Sequence, residues 1–483
     1  MSILGAMWER VRSIGGALIQ KDRIESKKVW LLSAAFFVVI GGYTLVKELK
    51  DLVFMNIVGY DYLPAAKMWS IVALIPMVFF YSRLVDILKR HQLLYFFSFL
   101  YGIGGLVFAY YLGHPSIGLP NTDTSKYRIF GWVFFFFLEG YQPFLVSLLW
   151  AFVNTVTRPG DVKNSYVIIT AGSKLGGAVV AGSVWLFLMR QQSSLATFSA
   201  VSSMQVLMAV SGVILLICPL LIAYLMRTTP TSHLHGYEQA YQFEKVHEKA
   251  AKKETGLLSA VKGMFSGLYL LIRYPYALGI FGMIFFWEVV NVSFNYVRLG
   301  VGQETSSSLL EFGAFLYGQI FFMHIIGLFI VLIGTSTMVS LLGERRSLML
   351  VPIATGLVIW FYLFSGGMIS VGVAYILMRA INYAFASPLR ESLYIPTTKA
   401  MKFKTKSWID GFGAKLAKCS GSSYNLMLKH VSSGALFTVH VAFFSGVIVL
   451  WTGVASLLGR RFEQAVKDNE VIGTDDKPLE KTV

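Results

Sequence analysis

The chain has 483 residues, 55% of them hydrophobic and only 14% charged, with a formal charge of +16. Soluble chains carry about 25% charged residues, so this one cannot face water throughout. Cys218 and Cys419 alone cannot staple a disulfide scaffold, and an aromatic share of 15% excludes disorder for the bulk of the chain. A polytopic membrane protein remains.

Residues 1–28 set Ile3, Leu4, Met7, Val11, Ile14 and Leu18 at helical spacing, with Arg10, Arg12 and Lys21 elsewhere on the wheel. That pattern predicts an amphipathic helix lying on the inner leaflet. A hydrocarbon core about 30 Å thick takes about 20 mainly apolar residues to cross. Runs that meet this stand at 29–46, 63–81, 92–112, 129–154, 166–189, 203–226, 275–297, 312–342, 347–364, 367–387 and 433–457. A weaker twelfth, 407–428, mixes Trp408, Ile409, Phe412, Leu416 and Leu426 with Lys415 and Lys418. Such a span is tolerable only if one face lines a water-filled cavity. The polar stretch 227–274 is a cytoplasmic central loop between two six-helix halves, 29–226 and 275–457, and 458–483 reads as a disordered cytoplasmic tail. The expected fold is therefore an all-α polytopic membrane protein of about twelve transmembrane helices in two halves, major-facilitator-like.

With both termini inside, most of the 42 basic residues fall on the inner side, as the positive-inside rule requires. The outer loops take Lys126, Arg128, Arg190, Arg298 and Lys429, with Lys47, Lys50 and Lys67 near the first outer turn. The positive charge thus reflects topology, and no basic folded face for nucleic acid is visible.

Charges inside spans cost at least about 2.5–3.5 kcal/mol each on insertion scales and usually mark a substrate path. Glu139 follows Phe134 to Leu138 in mid-span, and Glu288 sits between Trp287 and Val289 in the first span of the second half. Glutamate is too short to snorkel, so each needs a partner or a role. Lys50 ends the first span beside Asp51, where snorkelling is the competing reading. Lys415 and Lys418 are three apart and share a helix face, and with Lys406 and Asp410 they form a polar stripe. Arg379 is read as a buried pair member, and Arg390 and Glu391 close the tenth span. Small residues around Lys174, from Ala171 to Gly177, suggest close helix packing. No P-loop occurs, His233 and His235 stand isolated, and no nucleophile–base set is legible. Neither an enzyme, nor a metal site, nor a cofactor is expected. A membrane enzyme needs its catalytic cluster at one interface, whereas these charges are spread over spans of both halves.

The stretch Arg390-Glu391-Ser392-Leu393-Tyr394-Ile395-Pro396-Thr397, followed by Lys402 to Asp410 and by Gly413-Ala414-Lys415-Leu416-Ala417-Lys418-Cys419-Ser420-Gly421, closely resembles a signature of the ATP/ADP translocase family of plastids and obligate intracellular bacteria. Leu49-Lys50-Asp51, Asp61 to Lys67-Met68-Trp69, and Ser147 to Trp150 and Asn154 resemble that family's first-half motifs. The resemblance implies nucleotide transport, with Lys50, Glu139, Glu288 and Lys418 at the positions of the family's two lysines and two glutamates, and Lys415 beside them. Asp51, Lys67, Asn154, Arg390, Glu391 and Asp410 are the supporting set. The chain departs from the pattern at Lys47, Lys415, Ala417 and Asn291-Val292. Exchange of ATP for ADP and proton-coupled import of other nucleotides, or of a related phosphorylated metabolite, both fit. A monomer in a bacterial inner membrane is expected, with lipid and nucleotide its partners. In this reading Lys50, Lys415 and Lys418 converge on a central cavity as phosphate binders and the glutamates position them.

Overall fold

A computed structural model describes residues 23–157, 162–193, 196–234, 267–333, 342–398, 401 and 405–473. Residues 1–22 of the amphipathic segment, most of the central loop and residues 474–483 of the tail lie outside the described residues.

Among the described residues the chain is helical nearly throughout. Ten helices are long and apolar enough to cross a membrane. In chain order the helices are α1 (Arg23–Ile57), α2 (Leu63–Ile87), α3 (Arg90–Leu112), α4 (Ile129–Glu139), α5 (Ser147–Val156), α6 (Val162–Gln191), α7 (Ala200–Thr228), α8 (Pro275–Thr305), α9 (Leu309–Ile333) and α10 (Glu344–Ser365). Then come α11 (Gly367–Ile381), α12 (Ser387–Ser392), α13 (Lys406–Trp408), α14 (Ala414–Met427) and α15 (Ser433–Lys467). Helices α4 and α5 make one span, joined by a π-helical segment, Gln142–Val146. The tenth span is built the same way, with α11 and α12 joined through Asn382–Ala386. The weak twelfth stretch is also helical, running from α13 through the π segment Ile409–Gly413 into α14.

The helices gather into two compact units. Unit 1 is Met1–Glu248 with Gly302–Ile333, and unit 2 is Lys249–Val301 with Gly334–Val483. Helix α9 therefore belongs with unit 1, so the division does not fall simply at the central loop. In unit 1, α6 packs along both α1 and α9. Gly172 and Gly176 permit the first contact, since a Cβ at either would collide with Ser33 or Phe37 of α1. In unit 2, Gly421 lets α14 close on α8, where a Cβ would stand 2.9 Å from the Val289 carbonyl oxygen.

The span ends differ from expectation where charges interrupt the apolar run. Helix α1 has 35 residues, at 1.5 Å per residue about 52 Å, well beyond the hydrocarbon core. Its first turns absorb Lys28, which is fully buried and donates to the carbonyls of Val156 (2.7 Å) and His233 (2.8 Å). Residues 23–28 are thus continuous with the first helix. Lys47 and Lys50, read as near the first outer turn, lie inside this helix, which runs on to Ile57. Arg298, assigned to an outer loop, likewise sits inside α8 with 0% exposure. Helix α15 continues to Lys467 with Leu458, Phe462 and Ala465 buried, so the first ten residues of the expected tail are ordered helix. Beyond it, Ile472 pairs with Thr397, and its amide donates to Pro396 O at 2.7 Å.

The outer connection before α4 is shaped by Arg128, whose guanidinium donates to the carbonyls of Asn121 (3.0 Å), Asp123 (2.9 Å), Ile117 (3.0 Å) and Gly118 (2.5 Å). Burial pulls this guanidinium below its ordinary pKa, and the Asp123 charge opposes that pull.

Candidate substrate site

Unit 1 builds its charged site where α1 meets the break in the fourth span. Pro143 has no N–H to complete the ladder of the preceding turn, and the backbone accommodates this by widening to a π segment, with Ser147 N donating to Gln142 O. Segments of this kind recur at functional sites. Glu139 stands three residues ahead of the break. Lys50 Nζ donates to its Oε2 at 2.5 Å and lies 3.7 Å from Asp51. Lys67 Nζ reaches the other oxygen of Asp51 at 3.9 Å. Lys50 is 9% exposed and also packs 4.5 Å from the Phe135 ring centroid. Two lysines and two carboxylates thus form one compensated cluster in a mostly buried setting. Four of the residues singled out from sequence are brought together here. The cost argument pointed to Glu139 and the resemblance to Lys50, and the structure pairs the two.

Asn154 lies on α5 in the same span, and its side chain is outside what the structure describes.

Unit 2 distributes its residues along α8, the tenth span and α14. Glu288 is half-buried and accepts from Asn291 Nδ2 at 3.2 Å. Arg390 Nη1 donates to Asn382 Oδ1 at 3.1 Å, which ties the end of the tenth span to the start of its π segment. The charges of Glu288, Asp410 and Glu391 all act on Arg390. Lys406 Nζ bonds Glu391 Oε2 at 2.5 Å. Lys415 and Lys418 are both half-buried on α14, one helical turn apart, as their spacing required. The structure therefore gathers Glu288, Arg390, Glu391, Lys406 and Asp410 into one electrostatic neighbourhood.

Sequence reasoning missed Arg298, since it was counted as a loop residue. A signal was present: Glu288, Asn291, Asn295 and Arg298 follow the spacing of one helix face, a polar stripe on an otherwise apolar segment.

The fold is shared with known transporters. A crystal structure of a D-xylose-proton symporter superposes with a TM-score of 0.58 at 14% identity, covering 90% of this chain and 96% of that one. Ten membrane-length apolar helices in this arrangement define a multi-pass membrane protein of major-facilitator-like fold. The chain belongs to the family described as TLC ATP/ADP transporter, whose model matches residues 10–365 and 349–462. It is similar to ADP,ATP carrier protein 1 of Chlamydia pneumoniae, 21% identical over 94% of this chain and 95% of that protein. ADP,ATP carrier protein 1 of Rickettsia prowazekii (strain Madrid E) is also 21% identical, over 93% of this chain and 96% of its own length.

Proposed function

We propose that the chain exchanges ATP for ADP across a bacterial inner membrane by alternating access, as a monomer with both termini on the inner side. The observation that carries this reading is the Lys50–Glu139 pair, held 2.5 Å apart within the spans of a member of an ATP/ADP transporter family. Relatives matched along almost their whole length carry the name ADP,ATP carrier protein.

The pair acts as a placeholder. Without substrate, Glu139 supplies the anion that Lys50 requires, because an uncompensated buried charge costs several kcal/mol. A nucleotide polyphosphate displaces the carboxylate and takes the ammonium as a point-charge contact. Within unit 2, Lys415 and Lys418 place cationic charge on α14, and Glu288 lies on the polar face of α8. The several negative charges of a nucleotide offset the cationic residues of the site as it closes, so the loaded carrier crosses and the empty one lags. Exchange follows without an ion gradient.

Proton-coupled import of another nucleotide or phosphorylated metabolite is the competing reading, since a Glu139 that takes a proton also releases Lys50. Uptake of labelled ATP into proteoliposomes, with and without internal ADP and under an imposed pH gradient, separates the two. Exchange requires internal ADP and ignores the gradient. Uptake that needs the gradient and ignores internal ADP rejects exchange.

A further inference from the structure

The polar stripe of α8 leads away from Glu288 to a group outside the motif positions named in the sequence. Arg298 Nη1 donates to Asn295 Oδ1 at 3.0 Å, and its guanidinium carbon lies 3.8 Å from the centroid of the Tyr375 ring on α11. Arg379, one turn further along α11, approaches the same ring at 5.2 Å. Its Nη1 donates to the Tyr383 hydroxyl at 2.7 Å. Arg379 is 7% exposed, whereas Tyr383 is 43% exposed, so the group reaches the surface of unit 2 at that end.

Three features set this group apart from a simple packing contact. Two guanidiniums share one aromatic ring, which holds like charges close together where the dielectric is low. Each guanidinium presents a planar fork that matches phosphoryl oxygens bidentately. Arg379 also stands three residues before the π segment Asn382–Ala386, the place Glu139 holds before Gln142–Val146. The corresponding position in unit 1 is already engaged in binding a cation. Ionisable residues within spans mark substrate paths by default.

We infer that Arg298 and Arg379, gathered on Tyr375, form a subsite for the terminal phosphates of the substrate, in addition to the lysines at the family positions. The inference rests on the nucleotide reading above.

The test is equilibrium binding to the full chain in phosphatidylcholine nanodiscs, which present no anionic lipid. The probes are ATP, AMP and inorganic pyrophosphate, and the variants are Arg298→Gln, Arg379→Gln, Arg298→Lys and Arg379→Lys. Each glutamine variant is expected to weaken ATP and pyrophosphate by roughly tenfold or more, the worth of one charge-assisted contact. AMP is expected to change less, so the ATP-to-AMP preference shrinks, which a purely structural defect does not produce. Unchanged ATP affinity in both glutamine variants overturns the subsite and leaves the nucleotide reading intact. Arginine-dependent pyrophosphate binding without ATP binding sustains the subsite and sinks the nucleotide reading. A wild type that binds none of the probes overturns both. If the glutamine variants do not insert, the lysine variants decide, because they keep the charge and lose the fork: wild-type affinity in both overturns the subsite.

Discussion

The fourth and tenth spans are built alike and charged oppositely. Each is a helix interrupted by a five-residue π segment that is followed by a serine, Ser147 in one and Ser387 in the other. Three residues before the interruption one carries Glu139 and the other Arg379. In unit 1 the acid meets Lys50 and the local charge cancels. In unit 2 the arginine shares an aromatic ring with Arg298. The same backbone device thus stands in two electrostatic settings: the first sets a carboxylate against a lysine, and the second brings two guanidiniums to one aromatic ring.

The comparison breaks most sharply at the Lys50–Glu139 pair. Lys50→Ala or Glu139→Ala alone leaves its partner buried and is expected to cost about 3–5 kcal/mol of stability, less for Lys50→Ala because Glu139 is partly exposed. The double variant is expected to regain most of that stability while transport stays abolished. Thermal unfolding beside vesicle uptake measures both, and strictly additive losses would show that the residues are not coupled.

Next in size are the half-buried lysines of unit 2. Lys415→Ala and Lys418→Ala are each expected to lower nucleotide affinity about tenfold, with the melting temperature nearly unchanged, because neither is sealed in the interior. Isothermal titration against ATP checks this, and retained affinity in Lys418→Ala removes that residue from the site.

The exposed pair Lys406–Glu391 marks the weak end of the same electrostatic neighbourhood. Glu391→Gln is expected to shift stability by no more than about 0.5 kcal/mol, as exposed ion pairs do. A shift of several kcal/mol in chemical denaturation would mean that Glu391 does more than pair with Lys406.

The smallest effect belongs to the end of α15. The hydrogen bonds from Arg461 hold the Glu470 carboxyl below its ordinary pKa. A depressed folded value gives stability that is present above the unfolded pKa, near 4.3, and is lost as pH falls through the folded value. The pair is largely exposed, so Glu470→Gln is expected to remove less than about 0.5 kcal/mol at neutral pH and to flatten this acid limb. An unchanged acid limb in the variant shows that the pair contributes nothing there.

Most of the membrane architecture was legible in the sequence, because a run of some twenty apolar residues can hide that much surface from water only in a bilayer or a large core. The ends of the runs were not. Hydropathy falls at Lys47 and at Arg298, yet both helices continue, because packing and hydrogen bonding inside the bundle satisfy charges that a window average treats as loop. Glu139 and Glu288 were legible from cost alone. Lys50 needed the resemblance, since a lysine at an apparent span end has snorkelling as an equal reading. The pairing of Arg298 with Tyr375 was not legible, since it depends on which face of α8 meets α11. Only the spacing from Glu288 to Arg298 hinted at it.

The claim beneath all of this is that only a carrier occupied by a polyanion crosses readily. Proteoliposomes loaded with labelled ATP and diluted at equal pH into buffer, with or without unlabelled ADP, test it directly. The account requires label to stay inside in plain buffer and to leave rapidly once ADP is outside. Equal release under both conditions contradicts it.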